Sequence, residues 1–261
     1  MPYYIVILGT AGSGKTTLTG SLQEWLEDYG FDVATINLDP AAEYIPYKPD
    51  IDVRDYVNAR EIMLKYKLGP NGALIASADL IATRLDEILD EVSALRSNYI
   101  IIDTPGQLEV FAFRESGPVV LNTIVGSSKT VTLFLIDSIF SKSPSGLLSA
   151  LLLSASINVR LGKPQVNVLT KSDLISDEDI DKIINYMENP EEFAYNLVSD
   201  KTAHILWDLG DLEAILPRLT MYKMIPVSSI NRDGFDNLYA MIQRVVAGGE
   251  DYLTEEPSPI L

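Results

Sequence analysis

The chain has 261 residues, 47% of them hydrophobic, enough to bury the core of one large domain. With no cysteine and one histidine it has no disulfides, no thiolate metal site and no imidazole cluster for zinc or a Ser-His triad. A formal charge of -17 without any basic run tells against a nucleic-acid partner, and any metal must be a hard cation held by oxygen, such as magnesium.

Met1-Pro2 leads directly into "YYIVIL" (3–8), a continuous apolar strand of the kind buried on both faces of a parallel sheet. Neither a basic leader nor a cleavage site precedes it, and no wholly apolar run is long enough to span a bilayer. Both points predict a cytoplasmic protein with no membrane partner. After a Gly-rich turn, "TTLTGSLQEWLEDYG" reads as a helix ending at Gly30, and "DVATINL" as a second strand ending at Asp39-Pro40. The result is a βαβ unit.

A Pro-rich loop then leads to a helix with Asp52 as its N-cap, and "ALIASADLIATRLDEILDEVSAL" predicts another. Between these helices lies Gly69-Pro70-Asn71-Gly72, whose residue types suit a tight turn. Strands three to six are predicted at 99–103, 130–137, 165–170 and 224–229, with a helical insertion at 177–220 in which His204 and Trp207 read as packing residues. The expected architecture is a doubly wound, mainly parallel α/β fold. Residues 1–246 form one domain with helical insertions near 52–95 and 177–220, and 247–261 form an acidic tail.

Gly9-Thr10-Ala11-Gly12-Ser13-Gly14-Lys15-Thr16 fits the phosphate-binding pattern G-x-x-x-x-G-K-[ST], between a strand and a helix as that pattern requires. Ala11, Gly12, Ser13, Gly14 and Thr17 supply candidate contacts at a helix N-terminus. Lys15 would reach the outer phosphates, and the Thr16 hydroxyl would bind Mg²⁺.

Asp103-Thr104-Pro105-Gly106-Gln107 follows strand three. Asp103 would hold the ion through water, and the Gly106 N–H would meet the γ-phosphate and lose it on hydrolysis. Gln107 would orient the attacking water, with Glu109 near enough to assist; solvated loop positions are the alternative for both. Asp39 ends strand two at the ligand-binding edge, where it could order a magnesium water or the nucleophile, or merely cap a turn.

Thr170-Lys171-Ser172-Asp173 after strand five matches the guanine-reading pattern [NT]-K-x-D. A carboxylate at Asp173 accepts two hydrogen bonds from guanine, whereas adenine offers neither donor. Lys171 would lay its stem along the base, and Thr170 replaces the commoner Asn as a brace. Ser228-Ser229 is similar to the loop whose backbone meets guanine O6, making Ser229 a further contact.

Together "GTAGSGKTT", "NLDPA", "GPN", "DTPGQLE" and "TKSD" resemble the GPN-loop GTPases, of the SIMIBI class of P-loop proteins, over most of residues 3–246. That resemblance implies GTP or GDP as the ligand. It also implies a homodimer in which Asn71 of one subunit donates its amide to phosphate in the other, and a role in assembling or importing RNA polymerase. The rival within the class is the ParA/MinD-like ATPases, which have a lysine where this chain has Thr10 and lack an Asp173-type reader. A rival of another kind is a nucleotide-gated scaffold whose turnover is incidental.

Overall fold

A strand buried on both faces has no reason to alternate polar and apolar residues, and β1 (Tyr3–Gly9) is such a strand. Tyr4, Val6 and Leu8 enter one apolar layer, Ile5 and Ile7 the other. The computed structural model describes residues 2–200 and 207–247, so His204 and residues 248–261 of the expected tail lie outside the described residues.

From β1 the chain turns into α1 (Lys15–Asp28) and returns as β2 (Val33–Asn37), one residue shorter at each end than the predicted run of 32–38. A two-residue strand that was not predicted, β3 (Ile51–Asp52), then pairs with β2, Asn37 lying opposite Asp52. Asp52 caps only a single 3-10 turn, Val53–Asp55; the helix after it, α2 (Ala59–Tyr66), is capped by Asn58. The predicted Gly-Pro-Asn-Gly turn is also corrected. Gly69 is the N-cap and Pro70 the first residue of α3 (Pro70–Thr83), a position where the missing proline N–H costs nothing.

The long helix expected after it breaks at Arg84 into α3 and α4 (Leu85–Ala94). Next come β4 (Tyr99–Asp103), α5 (Leu108–Phe111), α6 (Ser116–Val125), β5 (Thr130–Asp137), α7 (Ser138–Ser141), α8 (Pro144–Leu161) and β6 (Gln165–Thr170). The remaining elements are α9 (Asp177–Glu188), α10 (Pro190–Ser199), α11 (Leu209–Leu219), β7 (Met224–Val227) and α12 (Phe235–Ala247). Trp207 is 39% exposed, so its reading as a packing residue is corrected.

The seven strands form one parallel sheet in the order β3-β2-β4-β1-β5-β6-β7. The chain winds outward from β1 in both directions, so the connections after β1 and β4 diverge at the C-terminal end of the sheet. A crevice at that switch point is where open α/β sheets bind ligands. On one face α1 and α12 bring Leu18, Leu22, Leu26, Phe235, Leu238 and Ile242 against Ile5, Ile7 and Ile101. The other face carries the larger layer, from α2 to α11. Each such aliphatic residue contributes about 1.5–3 kcal/mol of burial, so the two layers hold the strand ends rigidly at the crevice.

The sequence reading found no span long enough for a bilayer, yet α8, with 18 residues, passes that test by length and composition. Its Leu147, Leu148, Leu151, Ile157 and Leu161 are buried in the larger core layer, so its apolar face already has protein to cover it.

Candidate active site

The phosphate-loop glycines fit the backbone they have to adopt. Gly14, the N-cap of α1, has φ +92°, which an L side chain would strain. The loop therefore ends with the first N–H groups of α1 directed into the crevice. Lys15 is 7% exposed, and its ammonium donates to Thr10 O at 3.0 Å. Desolvation pulls its pKa down, partly offset by the Asp103 and Asp39 carboxylates. Ser13 is buried, its hydroxyl without a hydrogen-bond partner among the described residues.

Register places Asp103 opposite both Ile7 and Asn37, beside the phosphate loop. It is 2% exposed, and burial pushes its pKa up to about 6 against the pull of the Thr16 hydroxyl, the Lys15 ammonium and the Tyr47 phenol. Oδ2 accepts from Tyr47 OH at 3.2 Å; Oδ1 has no hydrogen-bond partner among the described residues. An orphaned buried carboxylate oxygen beside a threonine hydroxyl fits a hard divalent cation. No group of three or more carboxylate or imidazole ligands occurs among the described residues, so phosphate and water oxygens would have to complete the shell.

Without a cation the ionised Asp103 opposes folding. A folded-state pKa of about 6, above the ordinary 3.8, means that the native state holds the proton more tightly. The resulting stability is complete below the ordinary value and is lost as pH rises through 6. In EDTA and without nucleotide, Asp103→Asn should therefore unfold at a higher temperature than the parent at pH 7.5. The gain is at most about 3 kcal/mol and disappears towards pH 4. Thermal melts at both pH values check this, and a gap independent of pH would contradict it.

Asp39 lies two residues beyond β2, at the same edge. Its Oδ1 accepts from Ala41 N at 2.9 Å, and the Gly106 N–H faces the carboxylate. Burial raises its pKa, and those two amides and Lys15 restrain the rise. The turn it sits on is braced by residues that the sequence reading missed. Asn37 accepts from Asp39 N at 3.0 Å and donates to Asp52 at 2.9 Å, and Arg54 ties Asp52 to Ala42 O. A fully buried Asn at the end of an apolar strand was the available signal; Tyr47, in an open Pro-rich loop, gave none.

Gly106 packs so closely on the phosphate loop that an added Cβ would lie 3.2 Å from Ala11 Cα and from Lys15 Nζ. Gln107 is the N-cap of α5 and lines a cavity of about 250 Å³ with Asp39, Leu74, Ile81 and Val120. For Glu109 only the backbone, within α5, is described. Asn71 is exposed in the first turn of α3, while Leu74, Ala78 and Ile81 of the same helix face the cavity.

On the other side of the phosphate loop, Thr170 Oγ1, with one proton to give, donates to Ser13 O at 2.8 Å and lies 3.2 Å from Ile136 O. Lys171 has φ +58°; its ammonium pairs with Asp137 at 2.6 Å, and its carbonyl accepts from Ser138 Oγ. Asp173 is exposed on the 3-10 turn Ser172–Leu174. Ser229 O accepts from Ser21 Oγ of α1 at 2.8 Å, which ties the last loop to the phosphate-binding helix.

Known proteins share this sequence and fold. Residues 7–248 match a family model described as a conserved hypothetical ATP binding protein. A GPN-loop GTPase of Pyrococcus abyssi is 33% identical over 236 residues, 90% of this chain and 93% of that one. GPN-loop GTPase 1 of Dictyostelium discoideum is 32% identical over 96% of this chain, which spans 62% of that longer protein. The crystal structure of the Pyrococcus abyssi GTPase in its apo form is similar with a TM-score of 0.81 and 31% identity, covering 93% of this chain and 97% of that one.

Proposed function

The chain belongs to the GPN-loop GTPase family, and from that premise we propose a magnesium-dependent GTP hydrolase that works in the cytoplasm as a homodimeric switch. In the dimer the Gly69-Pro70-Asn71 start of α3 in one subunit completes the nucleotide site of the other. One observation carries the reading: the phosphate loop, the orphaned Asp103 oxygen and the Thr170–Asp173 segment meet at one edge of the sheet.

In this reading Lys15 exchanges Thr10 O for phosphate oxygens, and the backbone N–H groups at the start of α1 take the rest. Asp103 and Thr16 are the residues that would hold magnesium, which when bound offsets the charge on the β and γ oxygens. Asp39, with its raised pKa, either contacts the ion's water or accepts a proton from the attacking water. Gln107 orients that water, and Glu109 is the alternative. Asn71 is a neutral amide on a helix N-terminus with fixed geometry and does across the interface what an arginine finger does elsewhere. Asp173, Lys171 and Ser229 select guanine, so the family model's word "ATP" is not carried over to the ligand.

A second reading is a nucleotide-gated scaffold that holds protein partners, with RNA polymerase assembly suggested by family resemblance. Its support is exposed apolar surface beside the phosphate loop: Phe113, Ile139 and Phe140 are 45–59% exposed. Phosphate release from GTP and from ATP, with magnesium and with EDTA, tests the first reading. Hydrolysis should need GTP and magnesium together. Equal use of ATP, or turnover in EDTA, would overturn it.

A further inference from the structure

The connection from Pro40 to Asp50 runs past the site and is fastened near its start, in its middle and at its end. Near its start Ala42 O accepts from Arg54 at 2.8 Å, and at its end Asp50 Oδ2 accepts from Thr35 N at 2.8 Å. The third fastening is the Tyr47 hydroxyl on Asp103 Oδ2. Tyr47 rests on α1 at Gly20, where an added Cβ would lie 3.4 Å from the Tyr47 Cβ and 3.6 Å from its ring, so the side chain is located by packing as well as by its hydroxyl. The two end fastenings already hold the connection. The middle one instead engages a single oxygen of a buried carboxylate whose other oxygen has no hydrogen-bond partner among the described residues.

The donor's chemistry matters here. A cation at this position would cancel the charge that makes Asp103 useful to a metal, whereas a neutral phenol fixes its orientation and leaves that charge in place. We propose that Tyr47 is a positioning residue for the cation site: its hydroxyl holds the Asp103 carboxylate so that Oδ1 is presented to a divalent ion shared with Thr16. Tyr47 touches neither ion nor nucleotide and acts only through Asp103. The inference rests on the magnesium reading of Asp103 above.

The test uses Tyr47→Phe in the full chain, which keeps the ring on Gly20 and removes one oxygen. Binding of a fluorescent GDP analogue is followed as Mg²⁺ is titrated, with Asp103→Asn in parallel. The Mg²⁺ midpoint should rise about five- to tenfold in Tyr47→Phe, as expected for one lost hydrogen bond to a charged group. Analogue affinity in EDTA should stay at the parental value, and the variant should still melt in one cooperative transition. In the Asp103→Asn background, Tyr47→Phe should add nothing. A parental midpoint in Tyr47→Phe beside a shifted one in Asp103→Asn overturns the role of Tyr47 alone. A parental midpoint in both overturns the magnesium reading and this inference with it. Equal weakening with and without Mg²⁺ would make Tyr47 a merely structural residue.

Discussion

Asp173→Asn should lower GTP affinity by the equivalent of 2 to 5 kcal/mol, on the order of thirtyfold to several thousandfold, and move preference toward xanthine nucleotides. The amide presents a donor where guanine also presents one, and a carbonyl on the altered base restores the match. Asp173 is exposed without a ligand, so much of this effect arises only when the base covers it. The surrounding loop is built to keep its shape on substitution: Asp137 holds the Lys171 ammonium, and Thr170 is anchored to Ser13 O. Competition binding with GTP, XTP and ATP reads the change directly. A parent that binds ATP as tightly as GTP would remove Asp173 from the role of base reader.

Crossed complementation gives the second large effect. Homodimers of Asn71→Ala should bind GTP almost normally and hydrolyse it slowly, whereas Asp103→Ala homodimers should lose productive magnesium binding. After subunit exchange, a mixed dimer has one site with its own Asp103 and the partner subunit's Asn71, and a second site lacking both. About half the dimers are mixed, so steady-state hydrolysis should recover to about a quarter of the parental rate in a two-fold dimer. Activity that remains at the sum of the two homodimers, once exchange is verified, would confine Asn71 to its own subunit. The exposure of Asn71 in the first turn of α3, clear of the cavity residues on the same helix, is what such a donor needs.

The apolar strands and the phosphate loop were legible in the sequence because each follows from local constraints. Doubly buried strands need unbroken apolar runs, and a phosphate cradle needs glycine and lysine at set spacings. The Thr170–Asp173 segment was legible for the same reason. What could not be read depended on contacts between distant segments. β3 is two residues long and exists because Asp52 meets Asn37 across the sheet, a pairing with no local periodicity. The Gly-Pro-Asn-Gly run suited a turn on residue type alone, but Ala73 and Leu74 behind it pack in the interior and carry the helix back to Pro70. The division at Arg84 had no glycine or proline to signal it. Tyr47 became a candidate only because Asp103, 56 residues away, lies within reach of its hydroxyl.

The Gly106 N–H faces Asp39 closely enough to help restrain the rise in its pKa. On the proposed reading, a γ-phosphate arriving at Gly106 competes with an acceptor that is already there. The resulting preference for GTP over GDP is the difference between two acceptors, so it should be smaller than a whole hydrogen bond would supply. The same competition would weaken the pull of that N–H on the Asp39 carboxylate while the triphosphate is seated. GDP has no group to compete for it. On the proposed reading, arrival of the γ-phosphate thus loosens the side chain assigned to the attacking water, and its loss restores the earlier arrangement without a second signal.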